Sequence, residues 1–368
     1  MNIPYLNLKQ INLNYSAELM DAMKSVLDSG WFILGKSLEQ FEKEYASYNR
    51  TKHCAGLANG LDALILSLKV LGIKEGDEVI VPSNTYIASW LAVSYVGAKP
   101  VPVEPRWETC NINPELIEEK ITNKTKVIMP VNLYGQAAEL DKIMAIAQKH
   151  GLNVLEDNAQ AQGAVCNGRL AGSWGHINAT SFYPGKNLGA LGDAGAITTD
   201  SDELAAKIKI IRNYGSEKKY YNETKGVNSR LDELQAAFLS VKLRNLDDVN
   251  RERQKLAGLY DAGLNAIEGL TIPSVADGCT SVHHIYQVRT EKRDELQKYL
   301  NEKGIGTLIH YPIPSHLQQA YSDLGYKKGD FPIAEKISET TLSIPLYQGL
   351  KEEEVLYIVD TIKSFFNA

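Results

Sequence analysis

The sequence predicts an α/β protein: a large unit built on a mostly parallel sheet with helices on both faces, then a small α+β unit at the C-terminus. Three observations carry this prediction. Short β-branched runs alternate with helical repeats through the first two thirds of the chain, a long helical pattern starts at Asp232, and residues 269–368 mix strand and helix candidates.

Leu61–Leu71 repeats apolar residues at helical spacing and leads into the strand-like run Glu78–Val81, which stops at Pro82. Lys126–Gly135 reads as a buried strand ending in a glycine turn. Glu139–His150 reads as an amphipathic helix closed by Gly151, and Leu152–Asp157 as the next strand. Strand candidates follow at Thr180–Tyr183 and Ala194–Thr199, then a helix over Glu203–Asn213. The polar, glycine-bounded segment Gly215–Arg230 is expected to be a long exposed loop, and such loops are often functional. The helical pattern from Asp232 past Tyr260 is long enough to bridge a large domain, residues 1–245 with the N-terminal segment, to a small one, residues 246–368. In the small unit, His283–Thr290 and Thr307–Pro312 read as strands, and Arg293–Gly304 and Glu352–Phe366 as helices.

At 368 residues, with 44% hydrophobic and 23% charged side chains, the chain has enough apolar material for a substantial core. Lys and Arg total 39 against 45 Asp and Glu, so no nucleic-acid footprint is expected, and a phosphate ligand would need a locally built anion site. Met1–Tyr15 lacks the basic start and apolar core of a signal peptide, and no apolar run reaches the roughly 18 residues of a membrane span, so a cytoplasmic location is expected. Cys54, Cys110, Cys166 and Cys279 lie far apart with no C-x-x-C pair, which suggests neither a disulfide framework nor a zinc knuckle. His283 and His284 are adjacent on an expected strand and would point to opposite faces, so no metal site is expected.

The chemistry concentrates in four segments. In Ser181–Ala196 (SFYPGKNLGALGDAGA), Lys186 sits among glycines directly after a strand, where partial desolvation favours a neutral, nucleophilic amine. Taken alone it would be a solvated loop lysine. The segment matches neither the Walker A pattern nor G-x-G-x-x-G. In Glu156–Ala164, Asp157 follows a parallel strand, at the sheet edge where α/β proteins bind ligands. A carboxylate there can pair with a protonated pyridine nitrogen, and Gln160 can reach a ring hydroxyl; a strand cap and a polar turn are the plainer uses. Ala58–Leu68 opens a helix whose first N–H groups, near Asn59, Gly60 and Leu61, can cradle a phosphate or simply be capped. Tyr86, just past another strand end, can stack on an aromatic ring or pack into the core.

With SGWFILG (Ser29–Gly35), GDEVIVPSNTY (Gly76–Tyr86), VNLYGQ (Val131–Gln136), NSRLDELQAA (Asn228–Ala237) and LIHYPIPSHLQ (Leu308–Gln318) in the same order, the chain resembles, over nearly its whole length, the DegT/DnrJ/EryC1/StrS group of sugar aminotransferases. The resemblance implies the fold-type I architecture of aspartate aminotransferase and pyridoxal 5'-phosphate (PLP) as cofactor. It implies Lys186 as the Schiff-base lysine, Asp157 as the pyridine-nitrogen partner, Gln160 as the ring-oxygen contact and Tyr86 as the stacking ring. Gly60, Leu61 and Ser181 would hold the phosphate, beside the helix start at Asn59, joined by Asn228 from a second subunit in a homodimer with shared active sites. Trp31, Tyr183, His310 and Tyr311 fall where similar enzymes contact the sugar nucleotide. L-Glutamate would be the amino donor and a nucleotide-linked keto-sugar, dTDP above all, the acceptor.

Two positions depart from many relatives: Asn132 and Gln162 stand where histidines are common, which points to altered substrate orientation or proton handling. The segments GLDAL, GSEKKYYNETKG and GTLIHYPIPSHLQQAY most resemble enzymes acting on dTDP-3-keto-6-deoxyhexoses, so amination at C3 is expected. The alternatives are a dTDP- or UDP-4-keto-sugar aminotransferase and a PLP-binding regulatory protein. A related sugar dehydratase would carry histidine in place of Lys186, and an NAD-dependent oxidoreductase would need the missing glycine fingerprint. Use in a surface polysaccharide such as the O-antigen of lipopolysaccharide, or in a secreted glycoside, is left open.

Overall fold

The computed structural model describes residues 1–218 and 220–367. The strands are β1 (His53–Leu57), β2 (Glu78–Pro82), β3 (Lys99–Val103), β4 (Thr125–Ile128), β5 (Asn153–Asp157), β6 (Val165–Cys166), β7 (Arg169–Leu170), β8 (Ile177–Ser181) and β9 (Gly195–Thr199), then β10 (Tyr286–Arg289) and β11 (Thr341–Ile344). Seven of them form one sheet in the order β1-β9-β8-β5-β4-β2-β3, while β6 and β7 make a separate hairpin. Only β9 runs antiparallel to its neighbours. No crossover helix separates it from β8, so the chain returns alongside β8 in the opposite direction. The connection it uses instead carries Lys186.

The central strands are buried on both faces, which is why they read as apolar runs rather than alternations. On β2, Val79 and Val81 face a core shared with Leu66, Trp90 and Leu155, beneath helices Gly60–Val70 and Ile87–Tyr95. Ile80 points the other way, to Val103, Val154 and Ile143, beneath helix Leu140–His150. Each such side chain, fully buried, contributes roughly 1.5–3 kcal/mol. A second core joins Tyr260, Val288, Leu300, Leu342, Ile358 and Ile362 around the antiparallel pair β10–β11. Ile3, at the opposite end of the chain, is buried in that core and bridges Ile305.

Several elements differ from the sequence reading. The run Lys126–Gly135 is a strand only to Ile128; Pro130 has no N–H to donate, and Leu133–Gly135 is a single 3-10 turn with Tyr134 left-handed at φ 60°. The pattern after Asp232 is two helices, Glu233–Leu243 and Leu246–Leu264, because Leu239 and Leu243 pack in the large unit whereas Leu256 and Tyr260 pack in the C-terminal core. Thr307–Pro312 is no strand: Leu308 alone bridges Ser343, and prolines at 312 and 314 stop the ladder. His283 and His284 precede β10, with His283 at φ 44°, so strand alternation does not apply to them. The strand expected at Thr180–Tyr183 ends at Ser181. Sequence reading missed helices Leu8–Leu13, Ser16–Ser29 and Lys36–Asn49, and also β3, whose Pro100 and Pro102 are tolerated because it is an edge strand. Residues 215–230 form an irregular loop with Tyr220 and Tyr221 exposed; Lys219 lies outside the described residues.

Candidate active site

The carboxyl ends of β5 and β8 and the N-termini of two helices converge on one side of the sheet. Lys186 follows β8 in a tight turn closed by its N–H donating to Tyr183 O at 2.8 Å. Gly189 permits that turn, since a Cβ there would meet Pro184 O at 2.4 Å. Atoms crowding the Lys186 ammonium desolvate it and bring it down to about 8, and the nearby charge of Asp157 opposes the shift.

Asp157, the last residue of β5, is buried. Its Oδ2 accepts from Ser89 Oγ at 2.9 Å and its Oδ1 from Ala159 N–H at 3.1 Å. Burial raises its pKa, while Ser89, the Ala159 N–H and Lys186 pull it back. A carboxylate has roughly four acceptor positions, so these two bonds leave room for another donor. Gln160 is buried; its Oε1 accepts from Tyr134 N–H at 2.6 Å and its Nε2 donates to Tyr311 Oη at 3.2 Å. Tyr86, at the N-cap of helix Ile87–Tyr95, is 52% exposed, and its ring lies 5.2 Å from that of Tyr311.

Asn59 is the N-cap of helix Gly60–Val70, its side chain accepting from Asp62 N–H at 2.8 Å. The N–H groups of Gly60 and Leu61 have no intrahelical acceptor at this first turn. Gly60 lies against Ser181, where a Cβ would meet Ser181 Cβ at 2.6 Å. This makes a close-set cradle of N–H groups, a hydroxyl and a positive helix end.

His310 accepts or donates a hydrogen bond between Nδ1 and Ser343 Oγ at 2.9 Å, and its ring lies edge-on to Tyr311 at 5.4 Å. Desolvation, reinforced by Lys186, brings its pKa down to about 4. Tyr183 is exposed close to Lys186; Trp31 is exposed, its Nε1 donating to Ile33 O. Asn228 is exposed on its own chain and hydrogen-bonds to none of these residues. Asn132 and Gln162 are fully buried in the frame. Asn132 Nδ2 donates to Glu156 and Asn158, and Gln162 Nε2 donates to Thr180 Oγ1 and Ser181 O. Sequence reasoning missed Ser89, although it lies one helical turn after Tyr86 in a segment already singled out. It also missed His284, which burial and the charges of Lys186 and Arg253 push well below the usual histidine range.

Residues 14–363 match the DegT/DnrJ/EryC1/StrS aminotransferase family. The chain belongs to that family. It is 52% identical over 365 residues to a dTDP-3-amino-3,6-dideoxy-alpha-D-galactopyranose transaminase of Aneurinibacillus thermoaerophilus, spanning 99% of each. It is 48% identical over 364 residues to the erythromycin biosynthesis sensory transduction protein EryC1 of Saccharopolyspora erythraea, spanning 99% of this chain and 100% of the relative. The crystal structure of S. venezuelae DesV in complex with a ketimine intermediate superposes with a TM-score of 0.98 at 47% identity, over 100% of this chain and 99% of that one. Solved structures of other similar proteins are described as PLP or PMP forms.

As a member of this aminotransferase family the protein is a PLP-dependent aminotransferase with the aspartate aminotransferase-like α/β fold. The site fits that cofactor. It offers a desolvated amine, a buried carboxylate with acceptor capacity to spare, an exposed tyrosine and an anion cradle that a side chain at position 60 would fill. Among the described residues no helix is long and apolar enough to cross a membrane, and no cluster of potential metal ligands occurs.

Proposed function

We propose that this aminotransferase moves the amino group of L-glutamate to C3 of a dTDP-linked 3-keto-6-deoxyhexose, working as a homodimer with shared active sites. One observation carries the reading: the desolvated amine of Lys186 and the buried carboxylate of Asp157 follow the ends of β8 and β5, close enough for each to act on the other's charge. The choice of sugar is supported by the likeness to the dTDP-3-amino-3,6-dideoxy-alpha-D-galactopyranose transaminase of A. thermoaerophilus. The dimer is supported by an exposed apolar stripe, Met20, Met23 and Leu27, on helix Ser16–Ser29, continued by Trp31 and Phe32. Asn228 is exposed, as a residue reaching into a partner's site must be.

When bound, PLP supplies an aldehyde that takes up amino groups and an electron-poor ring that spreads the negative charge of a deprotonated carbon. Asp157 would hold the ring N–H, with Ser89 fixing the carboxylate's orientation. Gly60, Leu61 and Ser181, with Asn59 shaping the turn, would hold the phosphate. Gln160 would contact the ring oxygen, and Tyr86 would stack on the ring and exclude water. Lys186 Nζ, neutral in part at physiological pH, takes the α-proton of glutamate and in the second half-reaction delivers a proton to the sugar carbon that gains nitrogen. Trp31, Tyr183, His310 and Tyr311 line the approach for the sugar nucleotide.

The test is spectroscopic. The purified protein should be yellow, bleach on addition of L-glutamate and release equimolar 2-oxoglutarate; the bleached protein should then regain colour with dTDP-3-keto-6-deoxyhexoses and not with dTDP- or UDP-4-keto sugars. Colour regained only with a 4-keto sugar would overturn the C3 assignment. The likeness to the sensory transduction protein EryC1 of S. erythraea favours a second reading, a PLP-binding regulatory protein, for which the colour would persist in glutamate.

A further inference from the structure

Cys166, in the hairpin strand β6, stands directly across an antiparallel bridge from Cys279. The strands are joined on either side of the pair by Asn167 N–H to Gly278 O and Thr280 N–H to Val165 O, both at 2.7 Å. These bonds lie one residue outside the cysteines, which therefore occupy a non-hydrogen-bonded position, where facing Cα atoms approach to about 4.5 Å. Disulfides span Cα separations of roughly 4.4–6.8 Å, so this backbone can accept one without moving. Their side chains share one face of the bridge, with Cys166 Sγ 3.7 Å from Asp141 Oδ1.

The surroundings prepare Cys166 as a thiolate. Cys279 and the N–H groups of Leu140 and Asp141, the first residues of helix Leu140–His150, bring the Cys166 thiol down to about 7 against burial and the carboxylate of Asp141. Cys279 is shifted upward, partly exposed, and 3.5 Å from Ala138 O.

We propose that Cys166 and Cys279 form a reversible thiol–disulfide site that closes in the presence of a small disulfide oxidant such as glutathione disulfide. Cys279, the accessible sulfur, gives its proton to the adjoining Cys166 sulfur as it attacks one sulfur of the oxidant, breaking that S–S bond and releasing one glutathione thiolate, which takes that proton from Cys166. Cys166 Sγ then attacks Cys279 Sγ, forming the intramolecular bond and expelling the second glutathione thiolate. The two cysteines lose two electrons and two protons, which end on two molecules of glutathione. The bond ties hairpin β6–β7 to the segment whose Val282 and Ile285 N–H groups donate to Gly135 O and Tyr134 O, beside the Gln160 contact. It thus fastens the passage between the two cores.

The experiment uses the holoenzyme incubated with glutathione disulfide or with dithiothreitol, followed by thiol titration in denaturant and non-reducing peptide mapping. The four cysteines should titrate as four thiols after dithiothreitol and two after the oxidant, with a Cys166–Cys279 cross-linked peptide that dithiothreitol reverses. Cys54→Ser should keep the cross-link, and Cys166→Ser should instead accumulate a glutathione adduct on Cys279. Four thiols after the oxidant, or a lasting adduct on Cys279 in the unaltered protein, would overturn the proposal; the map of the unaltered protein decides the matter even if a variant fails to fold.

Discussion

Ser89 Oγ donates to Asp157 Oδ2 across 2.9 Å, linking the third residue of one helix to the last residue of a central strand. Burial alone would favour the neutral acid of Asp157, and the serine shifts the balance toward the carboxylate. Ser89→Ala therefore raises the pH below which Asp157 is protonated, so the acid limb of kcat/KM moves to higher pH. A hydrogen bond to a charged group is worth roughly 1.5–3 kcal/mol, so activity at neutral pH should fall about tenfold or more. Asp157→Asn should lose on the order of a hundredfold or more at every pH. Rate profiles of both variants check this; an unmoved acid limb in Ser89→Ala counts against the pairing.

Lys186 titrates near about 8 because its ammonium is desolvated. Only the neutral amine can bond to an aldehyde. The rate at which apoenzyme takes up PLP should rise about tenfold per pH unit below that value and level off above it. Stopped-flow absorbance measures it, and Lys186→Arg should show no such bond at any pH.

At Gly60 the helix start touches Ser181. A methyl group there must push one of them away, at a cost of about 1–3 kcal/mol. Gly60→Ala should raise the Kd for PLP by about tenfold, since each 1.4 kcal/mol is a factor of ten. Equilibrium dialysis of the apoenzyme reads the change, and circular dichroism checks that the fold is kept.

Charges placed on the exposed stripe should separate the proposed dimer. Met23→Glu with Leu27→Glu should sediment as a monomer and bind PLP weakly, because Asn228 of a second subunit is then absent. A stable dimer in the double variant would show that the stripe is not the interface.

Glu42 and Arg212 form a buried pair that also holds the backbone of Gly56 in β1. Glu42→Gln leaves the guanidinium without its counter-charge and should cost about 3–5 kcal/mol in urea unfolding.

The elements legible in the sequence were those specified within one short window. Helix Leu140–His150 announced itself by apolar spacing and the left-handed Gly151 that closes it. Strand β5 read as an apolar run because both its faces are covered. Helix Ser16–Ser29 escaped notice because it leaves Met20, Met23 and Leu27 exposed and buries Leu19 and Val26, so its apolar residues mark no single core-facing stripe. Asn132 and Gln162 looked like substitutions at the substrate, whereas both brace the frame from inside.

Short windows of chain carry the ingredients of the candidate site: a lysine in a glycine-rich turn, an acid at a strand end and a helix start free of bulk, each encoded by neighbours along the chain. Tertiary structure alone decided that Lys186 would be desolvated, that Ser89 would steady Asp157, that the pattern after Asp232 would break at Arg244 and Asn245, and that Cys166 would meet Cys279. Those outcomes depend on which distant surfaces exclude water together, and packing sets that only once the whole chain has closed.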